Sequence, residues 1–429
     1  MTTLYRARVL DTPEDPFAGG TLRSADDAGL LVDDAGTITA RGDFAAVLRE
    51  HPGSDVVDLR DGWLLPGLVD AHVHYPQVRV IGALGMPLLE WLDRCALPEE
   101  QRLADPSYAA AVAREFVDGL VAAGTTTALV FGSHFAPAVD CLFTEAARVG
   151  LRVTSGLVVS DRGLPEPLLS TPERAYDDAM ALATRWHGTG HARYAATPRF
   201  SYSADDPVLD ACAAVLEDVD GAWFTSHVNE NPAEVAAVER LFADAEHYVD
   251  TYDKHGLLGA RAVLAHNVHA TDAELGVLAA RATSVAHCPT SNSALGSGLF
   301  PLRRHLEHGV RVALGSDVGA GTGFSLLAEG LQAYLVQSLL GEAGDPLTAT
   351  HLLHLATRAG ALALGLGEVV GDLSVGREFD AVRVRPLLGS RLHLGLRHAA
   401  THEEVLARIF TLGGDADLAG VWVAGRRIA

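Results

Sequence analysis

The stretch PGLVDAHVHYPQ, residues 66–77, decides the fold because it is an apolar, strand-like segment that ends in two histidines. Side chains alternate between the two faces of a β-strand, so His72 and His74 point to one side while Val73 points to the other. Two imidazoles side by side at a strand end can share a metal ion. Two solvated histidines beside a turn are the alternative interpretation.

Seven further apolar segments of β character follow, at residues 125–134, 151–161, 192–202, 222–230, 262–267, 283–291 and 310–317. Helical patterns alternate with them, and three of the helices are expected to begin at Thr171, Asn231 and Thr271, which are good N-cap residues. Eight apolar strands that alternate with helices predict an α/β fold built on a (β/α)8 TIM-like barrel.

Polar residues recur at the C-terminal tips of these predicted strands. They are His72, His74, His134, Asp161, Arg199, His227, Glu230, His266, His287 and Asp317. In a barrel of parallel strands the loops after the strands converge at that rim, which is where active sites lie. This recurrence favours a shared metal ion over solvated histidines in the first motif.

The length of 429 residues leaves room for a barrel and a smaller domain. Short β-type runs, broken by Gly, Asp and Pro, occur in both end segments. We therefore expect a barrel over residues 66–365 and one small β-sandwich domain formed from both chain ends, residues 1–65 and 366–429.

Charge and cysteine usage exclude several classes of function. The net charge of −22 argues against nucleic-acid binding. The chain has no apolar run of about 18 residues and does not begin like a signal peptide, so we expect a cytoplasmic protein without membrane contact. The four cysteines form no CxxC pair, which disfavours a disulfide framework and a thiolate zinc site.

The histidines and one aspartate offer a metal-ligand set. A metal-dependent hydrolase needs three or four nitrogen or oxygen donors and an open position for water. His72, His74, His227 and Asp317 provide four donors at three predicted strand tips. Any one of these histidines could be structural, but a common structural role for all of them is the weaker hypothesis.

Glu230 follows His227 by three residues and precedes a predicted helix start. It either solvates that loop or, beside a metal, transfers the proton of the attacking water. His266 lies on the same predicted rim. For His287 we favour a structural role, and His134 has no assigned purpose.

Four short motifs resemble the amidohydrolase superfamily in its mononuclear branch: HVH at 72–74, SHVNE at 226–230, AHN at 265–267 and GSD at 315–317. The segments MPLLEWLDRCALPEE at 86–100, TPRFS at 197–201 and AHCPTSNSALGSG at 286–298 resemble the guanine deaminase family more specifically. The resemblance extends over essentially the whole chain.

The resemblance implies hydrolytic deamination of guanine to xanthine and ammonia, with one Zn²⁺ per chain and Fe²⁺ as the alternative metal. A small purine would be the substrate, and a homodimer is expected because of the apolar segment MPLLEWL. The implied residues are His72, His74, His227 and Asp317 for the metal, Glu230, His266 and Asp317 for catalysis, and Gln77, Arg199 and Phe200 for the purine.

The only lysine, Lys254, supports a mononuclear site. Binuclear relatives bridge two metals with a modified lysine at the fourth strand, whereas Lys254 comes after the fifth. Its polar surroundings, TYDKHG, predict a surface loop.

Three alternatives remain open. Without the resemblance, Arg199 would be assigned to a surface salt bridge and Phe200 to core packing. Trp91, with Leu88 and Leu89, is interpreted as the packed part of a lid or as an oligomer contact rather than as a platform on which a base stacks. The enzyme could act on another ring, such as 8-oxoguanine, a pterin, cytosine or an s-triazine. A barrel that has lost catalysis and serves as a scaffold is the remaining hypothesis.

Overall fold

The computed structural model describes residues 2–429. The strands are β1 (Thr3–Asp11), β2 (Arg23–Val32), β3 (Ile38–Asp43), β4 (Asp55–Pro66), β5 (Leu68–His74), β6 (Thr125–Phe131), β7 (Arg152–Gly156), β8 (Val158–Val159), β9 (Ala192–Pro198), β10 (Trp223–Val228), β11 (Ala262–His266), β12 (Ser284–His287), β13 (Val312–Leu314), β14 (Ala381–Val384), β15 (Leu418–Val423) and β16 (Arg426–Arg427).

The helices differ in their place along the chain: one precedes the barrel, and the others alternate with the barrel strands or follow them. They are α1 (Phe44–Glu50), α2 (Leu88–Trp91), α3 (Leu97–Gln101), α4 (Pro106–Ala122), α5 (Ala136–Val149), α6 (Pro172–Trp186), α7 (Asp206–Asp218), α8 (Pro232–Leu241), α9 (Asp250–Asp253), α10 (Asp272–Arg281), α11 (Pro289–Ala294), α12 (Leu302–Glu307), α13 (Leu326–Leu339), α14 (Ala349–Ala356), α15 (Arg358–Ala363), α16 (Arg391–Leu396) and α17 (His402–Leu412). Within residues 2–429, none of these helices has the length and apolar character needed to cross a membrane.

The predicted barrel is confirmed. Its parallel strands pair in the order β5, β6, β7, β9, β10, β11, β12 and β13, and the short β8 pairs with β9. Nearly every residue of these strands is buried, because helices cover the outer face and side chains fill the interior. This double burial explains why the strands are continuously apolar rather than alternating.

The barrel closes where β13 meets β5. The amide of Asp317 donates to the carbonyl of His72 at 2.9 Å, and the amide of His74 donates to the carbonyl of Val318 at 3.0 Å. Gly315 permits this approach, since a Cβ there would lie 2.9 Å from Cβ of His72. The metal-ligand candidates of the first and last strands are thereby brought side by side.

Both chain ends form a separate sheet, as predicted. Its seven strands pair in the order β16, β15, β14, β4, β1, β2 and β3, so the C-terminal β14 lies beside the N-terminal β4. Tyr5 stacks on Phe379 with ring centroids 4.5 Å apart, and Trp422 packs edge-on against both. Side chains of α16 and α17, which follow residue 365 in the chain, pack in the same hydrophobic cluster as the barrel strands. The two units therefore share packing, and the domain limits at residues 65 and 365 stay predictions.

The predicted helix starts are confirmed by hydrogen bonds. The hydroxyl of Thr171 accepts from the amide of Arg174 at the start of α6. Asn231 and Thr271 each form a reciprocal capping box at the start of α8 and α10. Such caps satisfy amide groups that have no partner within the helix, and they fix where each helix leaves the barrel rim.

Candidate active site

Four side chains from three strand ends converge at the mouth of the barrel. Nε2 of His74 lies 3.1 Å from Nε2 of His72 and 3.1 Å from Nε2 of His227. Oδ1 of Asp317 lies 3.3 Å from Nε2 of both His72 and His74. All four donor atoms lie within 4.8 Å of one another, and all four residues are buried.

The charge state of this cluster suits a cation. Burial lowers the pKa of His74 to about 4 and lowers that of His227 well below its ordinary value, so these imidazoles are neutral at pH 7. Burial alone would raise the pKa of Asp317, but the imidazoles of His72 and His74 hold it well below its usual range. Neutral imidazoles beside a carboxylate are the protonation states that metal binding requires.

An unusual backbone conformation sets the direction of two side chains at the rim. Asp317 has φ 48° and His266 has φ 71°, in the left-handed region that non-glycine residues rarely adopt. Strained backbone of this kind is concentrated at functional sites, where the surrounding structure holds it in place.

Glu230 and His266 lie next to the four-donor cluster. Nε2 of His266 is 3.4 Å from Oε2 of Glu230 and 3.8 Å from Oδ2 of Asp317. Nδ1 of His266 donates to Oδ1 of Asn292 at 2.9 Å, and the hydroxyl of Ser297 donates to Oε1 of Glu230 at 3.2 Å. Burial, reinforced by the charge of Asp317, raises the pKa of Glu230 to about 8.

A pocket opens onto these groups. Its lining residues are His74, Gln77, Leu88, Trp91, Leu92, Arg199, Phe200, His227, Glu230, His266, Leu295, Asp317 and Ala320. Trp91 is part of the pocket wall and packs with Phe200 in one apolar cluster, which fits the packed part of a lid; its burial within the single chain does not fit an oligomer contact.

The three residues expected at a purine, Gln77, Arg199 and Phe200, all line this cavity. Arg199 is not a surface residue: its side chain is 4% exposed, and Nη1 donates to both oxygens of Glu100 at 2.9 and 2.7 Å. Nε2 of Gln77 donates to Oε1 of the same carboxylate at 2.8 Å.

The remaining predicted rim residues have other surroundings. Nδ1 of His134 lies 3.5 Å from Oε2 of Glu100, which places it behind the pocket. His287 is buried and stacks on Phe300 with ring centroids 4.1 Å apart, which fits the structural role that we favoured. Away from the rim, Lys254 is exposed, as predicted, and pairs with Asp206.

Two residues that the sequence did not single out bear directly on the site. Glu100 and Asn292 both lie inside segments that carry the family resemblance, but each contacts a residue far away in the sequence, at Arg199 and His266. The acidic pair at residues 99–100 was the one available signal, since two carboxylates on a short helix beside an apolar segment can pair with a buried cation.

The sequence matches a family of known proteins, and that family agrees with the geometry of the site. A sequence profile of the amidohydrolase family matches residues 63–428. The chain belongs to the amidohydrolase family. The probable guanine deaminase of Deinococcus radiodurans is 58% identical over 427 residues, which cover 98% of this chain and 97% of that protein.

Solved structures of the same family superimpose on the whole chain. The guanine deaminase of E. coli has a TM-score of 0.95 and 35% identity, with 99% of each chain covered. The guanine deaminase from C. acetobutylicum, solved with guanine bound in its active site, has a TM-score of 0.93 and 25% identity, with 100% of each chain covered.

Proposed function

We propose that the protein hydrolyses guanine to xanthine and ammonia. The observation that carries the proposal is a single pocket lined by members of the donor cluster, by Glu230, by the polar pair Gln77 and Arg199, and otherwise mainly by apolar side chains. A flat heterocycle with a hydrolysable amino group and a polar edge suits such a pocket. The guanine deaminases that match nearly the whole chain support guanine among such rings.

The four-donor cluster fits a divalent cation. Nδ1 of His227 donates to a main-chain carbonyl, which leaves the lone pair of Nε2 free to bind a metal. Three imidazole nitrogens and one carboxylate oxygen suit Zn²⁺, with Fe²⁺ as the alternative, and we propose one ion per chain held by His72, His74, His227 and Asp317. Such a cation, when bound, lowers the pKa of a coordinated water from about 15.7 toward about 7.

Asp317 and His266 orient the attacking water toward C2 of guanine. Oδ2 of Asp317 and Nε2 of His266 lie 3.8 Å apart, so one small molecule can contact both. The carboxylate accepts a hydrogen bond from the water, and the imidazole restricts its position on the other side. This fixed orientation replaces the random approach of a free water and lowers the entropic cost of attack.

Glu230 moves the protons of the reaction. It takes a proton from the attacking water and passes it to the ring nitrogen beside C2, as the C2–O bond forms. It then takes the proton of the new hydroxyl group on C2 and gives it to the amino group, so that the C–N bond breaks, ammonia leaves and the carbonyl of xanthine forms. Burial and the nearby charge of Asp317 raise the pKa of Glu230 to about 8, so its carboxyl group keeps a proton more readily than a free glutamate does and can carry it from the water to the ring.

Gln77 and Arg199 contact the polar edge of the purine, and Phe200 covers its face. Guanine presents a carbonyl oxygen and ring nitrogens along that edge, and amide and guanidinium N–H groups are the complementary donors. The rings of Phe200 and Trp91 supply flat apolar surface for the purine, and both are buried at the pocket wall.

A panel of substrates tests this proposal. Protein supplied with Zn²⁺ is incubated separately with guanine, 8-oxoguanine, a pterin, cytosine and an s-triazine, and released ammonia is measured. We expect guanine to be converted with the highest kcat/KM. If another ring has a higher kcat/KM, that ring and not guanine is the preferred substrate. If no ring releases ammonia, the protein is better described as a scaffold without catalysis.

We further propose that the protein is a cytoplasmic homodimer acting on a small purine, without nucleic acid or membrane as partner. The segment that suggested a dimer packs inward, because Leu88 and Trp91 are buried within the single chain. The dimer proposal rests on the remaining apolar side chains of that segment, Met86 and Leu89, which are half-buried. Sedimentation equilibrium at micromolar concentration tests it, and a monomer mass would exclude it.

A further inference from the structure

Glu100 lies behind the wall of the pocket, where it contacts both polar residues of that wall. It comes from the short helix α3 and is 2% exposed. Its two oxygens accept from Nη1 of Arg199 at 2.9 and 2.7 Å, and Oε1 also accepts from Nε2 of Gln77 at 2.8 Å. Glu100 itself is not among the residues that line the cavity.

A carboxylate this deeply buried persists in ionised form only with partners. Burial alone raises the pKa of Glu100, but the Arg199 guanidinium, with His134 and Gln77, brings it well below its ordinary value. The group is therefore a fixed negative charge, and its hydrogen bonds are of the strong, charge-assisted kind. Removing it would leave the guanidinium buried without a counter-ion.

The contacts of Glu100 determine which hydrogen-bonding groups Gln77 and Arg199 can present to a ligand in the pocket. An ionised carboxylate is an acceptor only, so Gln77 must turn its amide nitrogen toward Glu100. Oε1 of Gln77 accepts from the amide of Gly319 at 3.2 Å, which fixes the other side of the amide. Gln77 and Arg199 therefore present only N–H donors to the pocket. Two donors complement a carbonyl oxygen on the ligand, whereas an amino group at the same place would set donor against donor.

We propose that Glu100 is a positioning residue that holds Arg199 and Gln77 as hydrogen-bond donors and so selects purines with an oxygen at C6 over purines with an amino group there. The inference rests on the proposed function, because it assumes that this pocket binds a purine. Glu100 acts through its two partners and touches neither the substrate nor the reacting atoms.

The variant Glu100→Gln tests the inference, because it keeps the shape of the side chain and removes its charge. Its matched control is Glu99→Gln on the same helix: Glu99 is 7% exposed and pairs with Tyr108 and Arg102, away from the pocket. We expect Glu100→Gln to raise KM for guanine about 10- to 100-fold with a smaller change in kcat, while Glu99→Gln keeps both constants.

Three further measurements separate recognition of the purine from general damage to the protein. Hypoxanthine has the oxygen at C6 but no amino group to lose, so its Kd reports binding without turnover and should rise by a similar factor in Glu100→Gln. The ratio of kcat/KM for guanine to that for 2,6-diaminopurine should fall in this variant. Metal content should stay at the wild-type value, because Glu100 contacts none of the donor residues.

The outcomes are distinct. Wild-type protein that releases no ammonia from guanine would overturn the proposed function and this inference with it. Wild-type activity combined with Glu100→Gln constants equal to those of Glu99→Gln, or with a loss confined to kcat, would overturn the inference alone. If Glu100→Gln does not fold, Glu100→Asp decides: a raised KM supports the positioning role, and a wild-type KM refutes it.

Discussion

His227 and Arg199 are joined by a hydrogen bond from Nδ1 of His227 to the main-chain carbonyl of Arg199, at 2.6 Å. This contact orients the imidazole so that Nε2 faces the donor cluster. It also ties a candidate metal ligand at the end of β10 to the backbone of a candidate substrate-binding residue after β9. The position of the metal relative to the purine is thus set by adjacent strands of a rigid barrel rather than by mobile loops.

The variant Glu230→Gln should keep the fold and the metal while losing most of its turnover. The amide fills the same space but cannot transfer a proton, and one proton-transfer group typically contributes about 10²- to 10⁴-fold in rate. The measurements are kcat on guanine, metal content by atomic absorption, and the thermal midpoint.

Glu239→Gln is the control, because Glu239 is exposed on the neighbouring helix α8. This control should retain wild-type kcat. If Glu230→Gln also retained wild-type kcat, proton transfer would have to be assigned to another residue.

Asn292 is expected to act through His266. Its Oδ1 accepts from Nδ1 of His266 at 2.9 Å, and both residues are buried. In Asn292→Ala the imidazole loses the partner that fixes its orientation, so we expect kcat to fall about 10- to 100-fold, by analogy with the loss seen when the hydrogen-bond partner of a metal-binding histidine is removed. Metal content should not change, because His266 lies outside the four-donor set. Loss of the metal in this variant would instead place Asn292 in support of the ligands.

Much of the barrel and its metal-ligand set could be predicted because the signals are local. Alternation places His72 and His74 on one face, and parallel pairing brings the tips of β5, β10 and β13 to the same rim. Helix caps such as Thr171 are equally local, since the side chain bonds an amide three residues away.

Glu100 and Trp91 could not be placed from the sequence for the opposite reason. Their positions depend on how the segment after β5 folds back over the barrel mouth, and no periodic pattern encodes that path. A buried ion pair such as Arg199 with Glu100 joins residues almost a hundred positions apart, so neither residue signals its partner. The pairing of β14 with β4 is likewise non-local, and only the β character of both ends was predictable.

Asp161 should make the stability of the protein dependent on pH. Burial, followed by the neighbouring Asp205 carboxylate, raises its pKa from 3.8 to about 7. The folded protein therefore holds a proton that the unfolded chain releases, and this contribution to stability is complete below pH 4 and lost as pH rises through 7. Asp161→Asn should have a higher thermal midpoint than wild type at pH 8 and a similar one at pH 4. If the thermal midpoints of Asp161→Asn and wild type differed equally at both pH values, the raised pKa of Asp161 would be contradicted.

Arg152 should stabilise the junction between the barrel and the end sheet. Its Nε donates to Oδ2 of Asp380 at 3.0 Å, and the two side chains are 7% and 1% exposed. Arg152→Met leaves the Asp380 carboxylate buried without its counter-ion, which should cost about 3–5 kcal/mol of folding free energy. Arg281→Met is the control, since Arg281 is 53% exposed in its pair with Asp253 and should lower the midpoint of chemical denaturation only slightly. Equal effects of the two variants would contradict a structural role for the Arg152 pair.

The proposed chemistry requires one cation held by His72, His74, His227 and Asp317. Anomalous diffraction from a crystal of the protein grown with Zn²⁺, recorded on both sides of the zinc absorption edge, tests this requirement most directly. We expect a single strong peak about 2.0–2.2 Å from the three Nε2 atoms and from a carboxylate oxygen of Asp317. A peak elsewhere in the chain, or no peak at this position in fully active crystals, would show that these four residues do not hold the catalytic metal.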